Sequence, residues 1–168
     1  MQMGHSMIKQ VGGDILLSKA RVIAHGVAPN DDHAQGLAHS LREYAPAMYK
    51  DFRHYCKTQH PQAGSIWTWA GAGGQQLVAL FTQESAYHPG ERPGRASLSH
   101  VSHALHALRQ FIEREKPSSV ALPRLATGVG GLTWEEVLPV IHRQLGDAGI
   151  PVIVYSTFHA GVAAAEGL

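Results

Sequence analysis

The sequence predicts an α/β protein built on a mixed, mostly parallel sheet, and three features carry that prediction. The last half alternates apolar strand-like runs with amphipathic helical stripes, a pattern that implies parallel βαβ crossovers. The middle holds two β-rich runs around a glycine cluster, which reads as an antiparallel hairpin. Turn residues are scattered locally, with no internal repeat, low-complexity tract or linker, so one domain over residues 1–168 is expected.

The elements follow in order. "MIKQVGGDI" reads as a short strand ending at Gly12-Gly13, and "RVIAHGVA" as a second that stops in the polar cluster "PNDDH". From Gly36 to about Gln59, Leu37, Leu41, Tyr44, Met48, Phe52 and Tyr55 recur at helical intervals. Pro46 restarts the run at a first turn, where a missing N–H is tolerated, so two consecutive helices are expected. "SIWTWA" and "QQLVALFT" flank "GAGG" as the hairpin, and "QESAYHPGERPGRAS" is a loop long enough to suggest a functional role. Leu98, Val101, Leu105, Leu108 and Ile112 form the stripe of a helix that docks on a sheet. "SSVALP" is apolar throughout, as in a strand covered on both faces. Thr133 and Glu136 form a capping box opening a helix with Val137, Val140, Ile141 and Leu145 inward, and "PVIVYST" closes the sheet.

Composition narrows the function classes. Hydrophobic residues make up 44% and charged residues 16% of 168, as in a globular chain, and no apolar run approaches the ~20 residues of a bilayer span. The opening "MQMGHSMIKQ" lacks a secretory signal, so a soluble, cytoplasmic monomer is expected. A net charge of +1, from 14 basic and 13 acidic side chains, demands no polyanionic partner. The lone cysteine, Cys56, excludes an internal disulfide and a cysteine-built zinc site. His100, His103 and His106 fan over a helix surface instead of aligning as an i, i+4 pair, so they read as a solvated face, with neither metal nor cofactor expected.

The chemistry concentrates in loops that leave strands. In an open parallel sheet the ligand crevice lies beyond the strands' carboxyl ends, and "RLATGVGG" sits at such an end. Gly128, Gly130 and Gly131 allow backbone N–H groups to curl into an anion nest ahead of a helix N-terminus. The loop is neither G-x-G-x-x-G nor a P-loop. "IAHGVAPNDDHAQGLA" also leaves a strand and enters a helix at Gly36, so two nests could grip a pyrophosphate from opposite sides. Asp14, at another strand end, could accept from the exocyclic amine of a base, and Tyr155 offers a flat apolar face for a ring.

Four segments, "GGDI", "IAHGVAPNDDHAQGLA", "LPRLATGVGGLTWEEV" and "VIVYS", resemble the signature segments of macrodomains, in their order. The resemblance implies a three-layer α/β/α macrodomain with a mixed, mostly parallel central sheet, and ADP-ribose or an ADP-ribosylated substrate as ligand. It implies that Asp14, with Ile15 beside it, meets adenine and that Gly36 and Leu37 line the diphosphate and distal ribose. Ala126, Thr127, Gly128, Val129, Gly130, Gly131 and Leu132 would wrap the diphosphate, and Tyr155 would pack near a ribose. "IAHGV" and "ALFTQ" look closest to the subgroup containing terminal ADP-ribose glycohydrolases, DNA de-ADP-ribosylases and ADP-ribose 1''-phosphate phosphatases.

Three departures bear on the reaction. Ala28 stands where many macrodomains hold the distal ribose with an asparagine, and Gln83 and Gly130 stand where the glycohydrolases of the subgroup place a lysine and an acidic residue. An amide nitrogen is no nucleophile, because its lone pair is delocalised, so a lysine-type covalent route is excluded at Gln83. A general base drawn from His25, Asp31, Asp32 and His33 could instead activate water, with His25 and Asp32 favoured by position. The expected activity is hydrolysis of an ADP-ribosyl adduct or of ADP-ribose 1''-phosphate, and the alternative is a non-catalytic reader of ADP-ribose. Nucleic acid is expected as a partner only where it carries ADP-ribose.

Overall fold

The computed structural model describes residues 7–71, 73–85, 94–128 and 130–168. Six strands form one sheet in the order β1-β6-β5-β2-β4-β3. They are β1 (Ile8–Gly13), β2 (Val22–Val27), β3 (Ile66–Ala70), β4 (Gln76–Phe81), β5 (Val120–Pro123) and β6 (Val152–Phe158). Every neighbouring pair is parallel except β3 with β4, the hairpin at one edge. The sheet is mixed and mostly parallel, as the element order implies.

Side-chain alternation builds the layers. On β2, Val22 and Ala24 join α3 (Leu98–Glu115) and α4 (Trp134–Leu145) in one core, while Ile23 and Val27 join α1 (Gly36–Tyr44) and α2 (Pro46–Gln59) in another. β4, β5 and β6 split their residues the same way, because successive side chains of a strand point to opposite faces. The result is three layers, α/β/α. Pro46 sits in the first turn of α2, and Thr133 and Glu136 make the reciprocal capping box on α4. His100 pairs with Glu84 at 2.7 Å, while His103 and His106 are exposed along α3.

Two features go beyond the sequence reading. A 3-10 turn, Ile15–Leu17, follows β1, and the Asp14 carboxylate caps it by accepting from the Leu16 N–H at 3.0 Å. The segment after β6 then folds back over β1. Asp14 N–H donates to the Val162 carbonyl at 2.7 Å, and Glu166 accepts from the Ser18 hydroxyl, the Lys19 N–H and the Tyr155 hydroxyl.

Phe52 is the keystone of the α1/α2 layer. It is fully buried, with its ring centroid 4.7 Å from His33, 5.6 Å from Trp67 and 5.9 Å from Phe81. Phe52→Ala removes these contacts and leaves a cavity, so it is expected to cost about 3–5 kcal/mol, read as a lower urea midpoint with an unchanged slope.

Candidate functional site

An open cleft of about 1640 Å³ lies at the carboxyl ends of β1, β2, β5 and β6. The β2–α1 loop forms one wall and the β5–α4 loop the other. Asp14, Ile15, His25, Asp32, Gly36, Leu37, Ala126, Thr127, Gly128, Gly130 and Tyr155 all line it. Gly131 and Leu132 do not, because their N–H groups close the loop on itself by donating to the carbonyls of Gly128 and Ala126. Val129 lies outside the described residues.

The β5–α4 loop makes its turn with two left-handed residues, Gly131 at φ 80° and Ala126 at φ 60°. A non-glycine residue held there is a local strain, and such strain clusters at binding loops. Gly130 permits close approach, since a Cβ would lie 2.7 Å from the Ala126 carbonyl oxygen and 2.9 Å from the Ala96 Cβ. At Gly128 a Cβ would meet nothing within 4 Å. Across the cleft, no side chain caps α1, so the N–H groups of its first turn remain available to an anion.

Arginine adds charge that the sequence reading did not assign. Arg95 lines the cleft, its Nη2 only 3.5 Å from where a Cβ of Gly131 would stand. Its segment is held by Ala96 N–H donating to the Gly130 carbonyl and by Gln83 Nε2 donating to the Gly94 carbonyl at 3.0 Å. Gln83 is therefore a positioning residue, 5% exposed, for the strand of loop that carries Arg95. The long polar loop "QESAYHPGERPGRAS" was the available signal for Arg95. No lysine lines the cleft among the described residues.

At the floor, two histidines are buried side by side, with ring centroids 6.0 Å apart. His25 is 2% exposed, and burial first, then the neighbouring His33, push its pKa down to about 3. Its Nδ1 is buried and has no hydrogen-bond partner among the described residues, although the residue lines the cleft. His33 is fully buried against Tyr49 and Phe52, and burial pushes it down too, against the opposing pull of Asp31. Its N–H donates to the Asp31 carboxylate at 2.7 Å, so Asp31 and His33 together shape the loop. Of the residues weighed as general base, only Asp32 is exposed in the cleft, where it accepts from the Ala34 N–H at 3.1 Å.

Asp14 and Tyr155 are more constrained than the sequence suggests. Both Asp14 oxygens are engaged, one by the Leu16 N–H and the other by the Gly161 N–H at 3.0 Å. A carboxylate offers about four acceptor sites, so two remain. Tyr155 is buried with its hydroxyl on Glu166, and burial first, then that carboxylate, raise its pKa.

No family model matches the chain. In sequence it is 27% identical over 158 residues to a Thermosipho africanus "DNA ADP-ribosyl transferase-DNA ADP-ribosyl glycohydrolase fusion protein", covering 86% of this chain and 40% of that protein. It is 27% identical over 150 residues to a Thermus aquaticus "DNA ADP-ribosyl glycohydrolase", covering 89% of this chain and 41% of the other. The chain thus spans about two fifths of the length of these relatives. In structure it is similar to the macrodomain of Thermus aquaticus DarG, with a TM-score of 0.76 at 24% identity over 89% of this chain and 97% of that one. It is also similar to Thermosipho africanus DarTG in complex with ADP-ribose, with a TM-score of 0.75 at 21% identity over 93% of this chain and 42% of that one. The fold is that of a macrodomain.

A buried, neutral His25 has a direct consequence for pH dependence. The unfolded chain protonates this imidazole near its ordinary 6.5, whereas the folded protein resists protonation until about 3. Its contribution to stability is therefore full above about 6.5 and declines as pH falls toward 3. The His25 ring resonances should stay flat from pH 8 to pH 5, and His25→Gln should shallow the acid limb of the stability curve.

Proposed function

We propose that this chain binds an ADP-ribosyl group in the cleft and removes it from modified DNA by attack of activated water on the ribose carbon that bears the adduct. The observation that carries this reading is one cleft joining two anion-ready loops, Arg95 and the carboxylate of Asp14, in a fold shared with proteins named as DNA ADP-ribosyl glycohydrolases. The diphosphate sits between the 126–130 loop and the start of α1, and adenine lies toward Asp14 and Ile15. Asp32 takes the proton from the attacking water as the bond from that ribose carbon to the DNA base breaks, and the base departs with a proton taken from solvent. His25 stays neutral and buried, so it does not act as the base. Gln83 forms no covalent adduct. Cys56, buried and unpaired, is compatible with a reducing compartment, and we place the protein in the cytoplasm as a monomer.

A second reading, a reader of ADP-ribose without turnover, is favoured by the lack of a lysine among the described cleft residues and by the weak basicity of His25. The two readings separate in the test tube. Calorimetric titration should show one site for ADP-ribose and weaker binding of AMP. Gly128→Glu should abolish binding while leaving the melting temperature unchanged, since its side chain enters the open cleft. No heat with ADP-ribose at high protein concentration would remove both readings.

Turnover is tested on ADP-ribosylated DNA, ADP-ribosylated protein and ADP-ribose 1''-phosphate. The first should be cleaved fastest, borohydride should trap no protein–sugar adduct, and Asp32→Ala should slow release by about 10²-fold. Binding without release from any of the three would establish the reader. A trapped adduct, or an Asp32→Ala variant of full activity, would overturn the water mechanism.

A further inference from the structure

Resting on that reading, we infer that the chain has a second, phosphate-tracking subsite: a basic groove on α2 that takes the single-stranded backbone of the modified nucleic acid as it leaves the cleft. The groove, of about 660 Å³, adjoins the cleft and shares Pro29, Asn30, Arg53 and Ser85 with it. Away from the cleft it is lined by His54, Lys57 and His60, and among the described residues no carboxylate lines it.

Helical geometry sets the cations in a row. Arg53 and Lys57 are four residues apart on α2 and so lie on one face, with exposed Lys50 a turn before Arg53 and His60 at the C-cap beyond. Asp51 is turned to the Trp69 indole at 2.9 Å, away from this row. Asp31, the carboxylate next to Asn30, is held by the His33 N–H. Arg53 donates to the Asn30 carbonyl at 2.9 Å, which fixes its guanidinium at the junction of groove and cleft and leaves other N–H groups free for a phosphate.

A neutral ligand or a protein surface of average charge gains little from the four cationic or ionisable side chains Arg53, His54, Lys57 and His60. A polyanion that must extend from a bound ADP-ribosyl group gains at each phosphate, by releasing counterions. Single-stranded nucleic acid fits best, because its backbone can bend from a modified base out of the cleft and along the helix.

The test compares free ADP-ribose with a single-stranded oligonucleotide carrying one ADP-ribosylated base, by fluorescence anisotropy over a range of salt. The oligonucleotide should bind more tightly at low salt, and its advantage should fall with log[salt] at a slope of about −1.4 to −2.1, the value for two or three phosphates. Lys57→Glu should weaken oligonucleotide binding about tenfold at low salt and flatten the slope, while free ADP-ribose binds as before. Equal affinity and salt response for the two ligands, or a Lys57→Glu variant that binds the oligonucleotide normally, would overturn the subsite. An ADP-ribosylated acidic peptide with the same slope and the same Lys57 sensitivity would reassign it to polypeptide. The unmodified oligonucleotide reads the groove by itself: it should shift the amide resonances of His54, Lys57 and His60 at low salt even where ADP-ribose fails to bind. Silence of those amides would sink the inference independently of the function proposed for the cleft.

Discussion

The candidate site depends on burying two uncharged imidazoles under the β2–α1 loop. His33 is the peg: its ring packs on Tyr49 and Phe52, and its backbone N–H is clasped by the Asp31 carboxylate, which anchors the loop to α2. That conformation places Asp32 in the cleft and delivers the chain to α1 at Gly36 with φ 61°. His25, on the strand below, can sit edge-on to His33 only while both are neutral, since two adjacent buried cations would repel in a low dielectric. The cost is one buried, unsatisfied ring nitrogen on each imidazole among the described residues, His25 Nδ1 and His33 Nε2.

The opposite wall is built on a different principle. There the backbone itself faces the cleft, in a turn built on glycine and a strained alanine. Positive charge comes from Arg124 in the loop itself and from Arg95, which belongs to neither glycine loop and is set in place through Gln83 and Ala96. The third side is closed by the segment after β6, whose Glu166 ties Ser18, Lys19 and Tyr155 together and so couples the end of the chain to the Asp14 corner. Parallel strands bring these three structures to one end of the sheet, which is why residues 14, 32, 95, 128 and 155 can share a single cleft.

Much of this was legible in the sequence because it is local. The capping box at Thr133, the Pro46 restart, the helical stripes and the hairpin depend on neighbours within a few positions, and each is where its pattern placed it. The glycine loop announced close backbone approach, although Gly131 and Leu132 spend their N–H groups on the turn itself. Burial was harder to read. His25 and His33 look alike as candidate bases next to Asp31 and Asp32, yet both imidazoles are buried, Asp31 is half-buried, and only Asp32 is exposed. The available hint was period two on β2, where Ile23, His25 and Val27 point to the same covered face. Arg95, the second hold on Asp14 by Gly161 and the Glu166 clasp are contacts between distant positions, for which the pattern of neighbours carries no signal.

A crystal structure of the protein with ADP-ribose tests the central claim most directly. The diphosphate should lie between the 126–130 loop and the first turn of α1, with the adenine amine on Asp14 and Asp32 facing the distal ribose. A ligand bound outside the cleft, or one whose diphosphate makes no contact with the glycine loop, would contradict it.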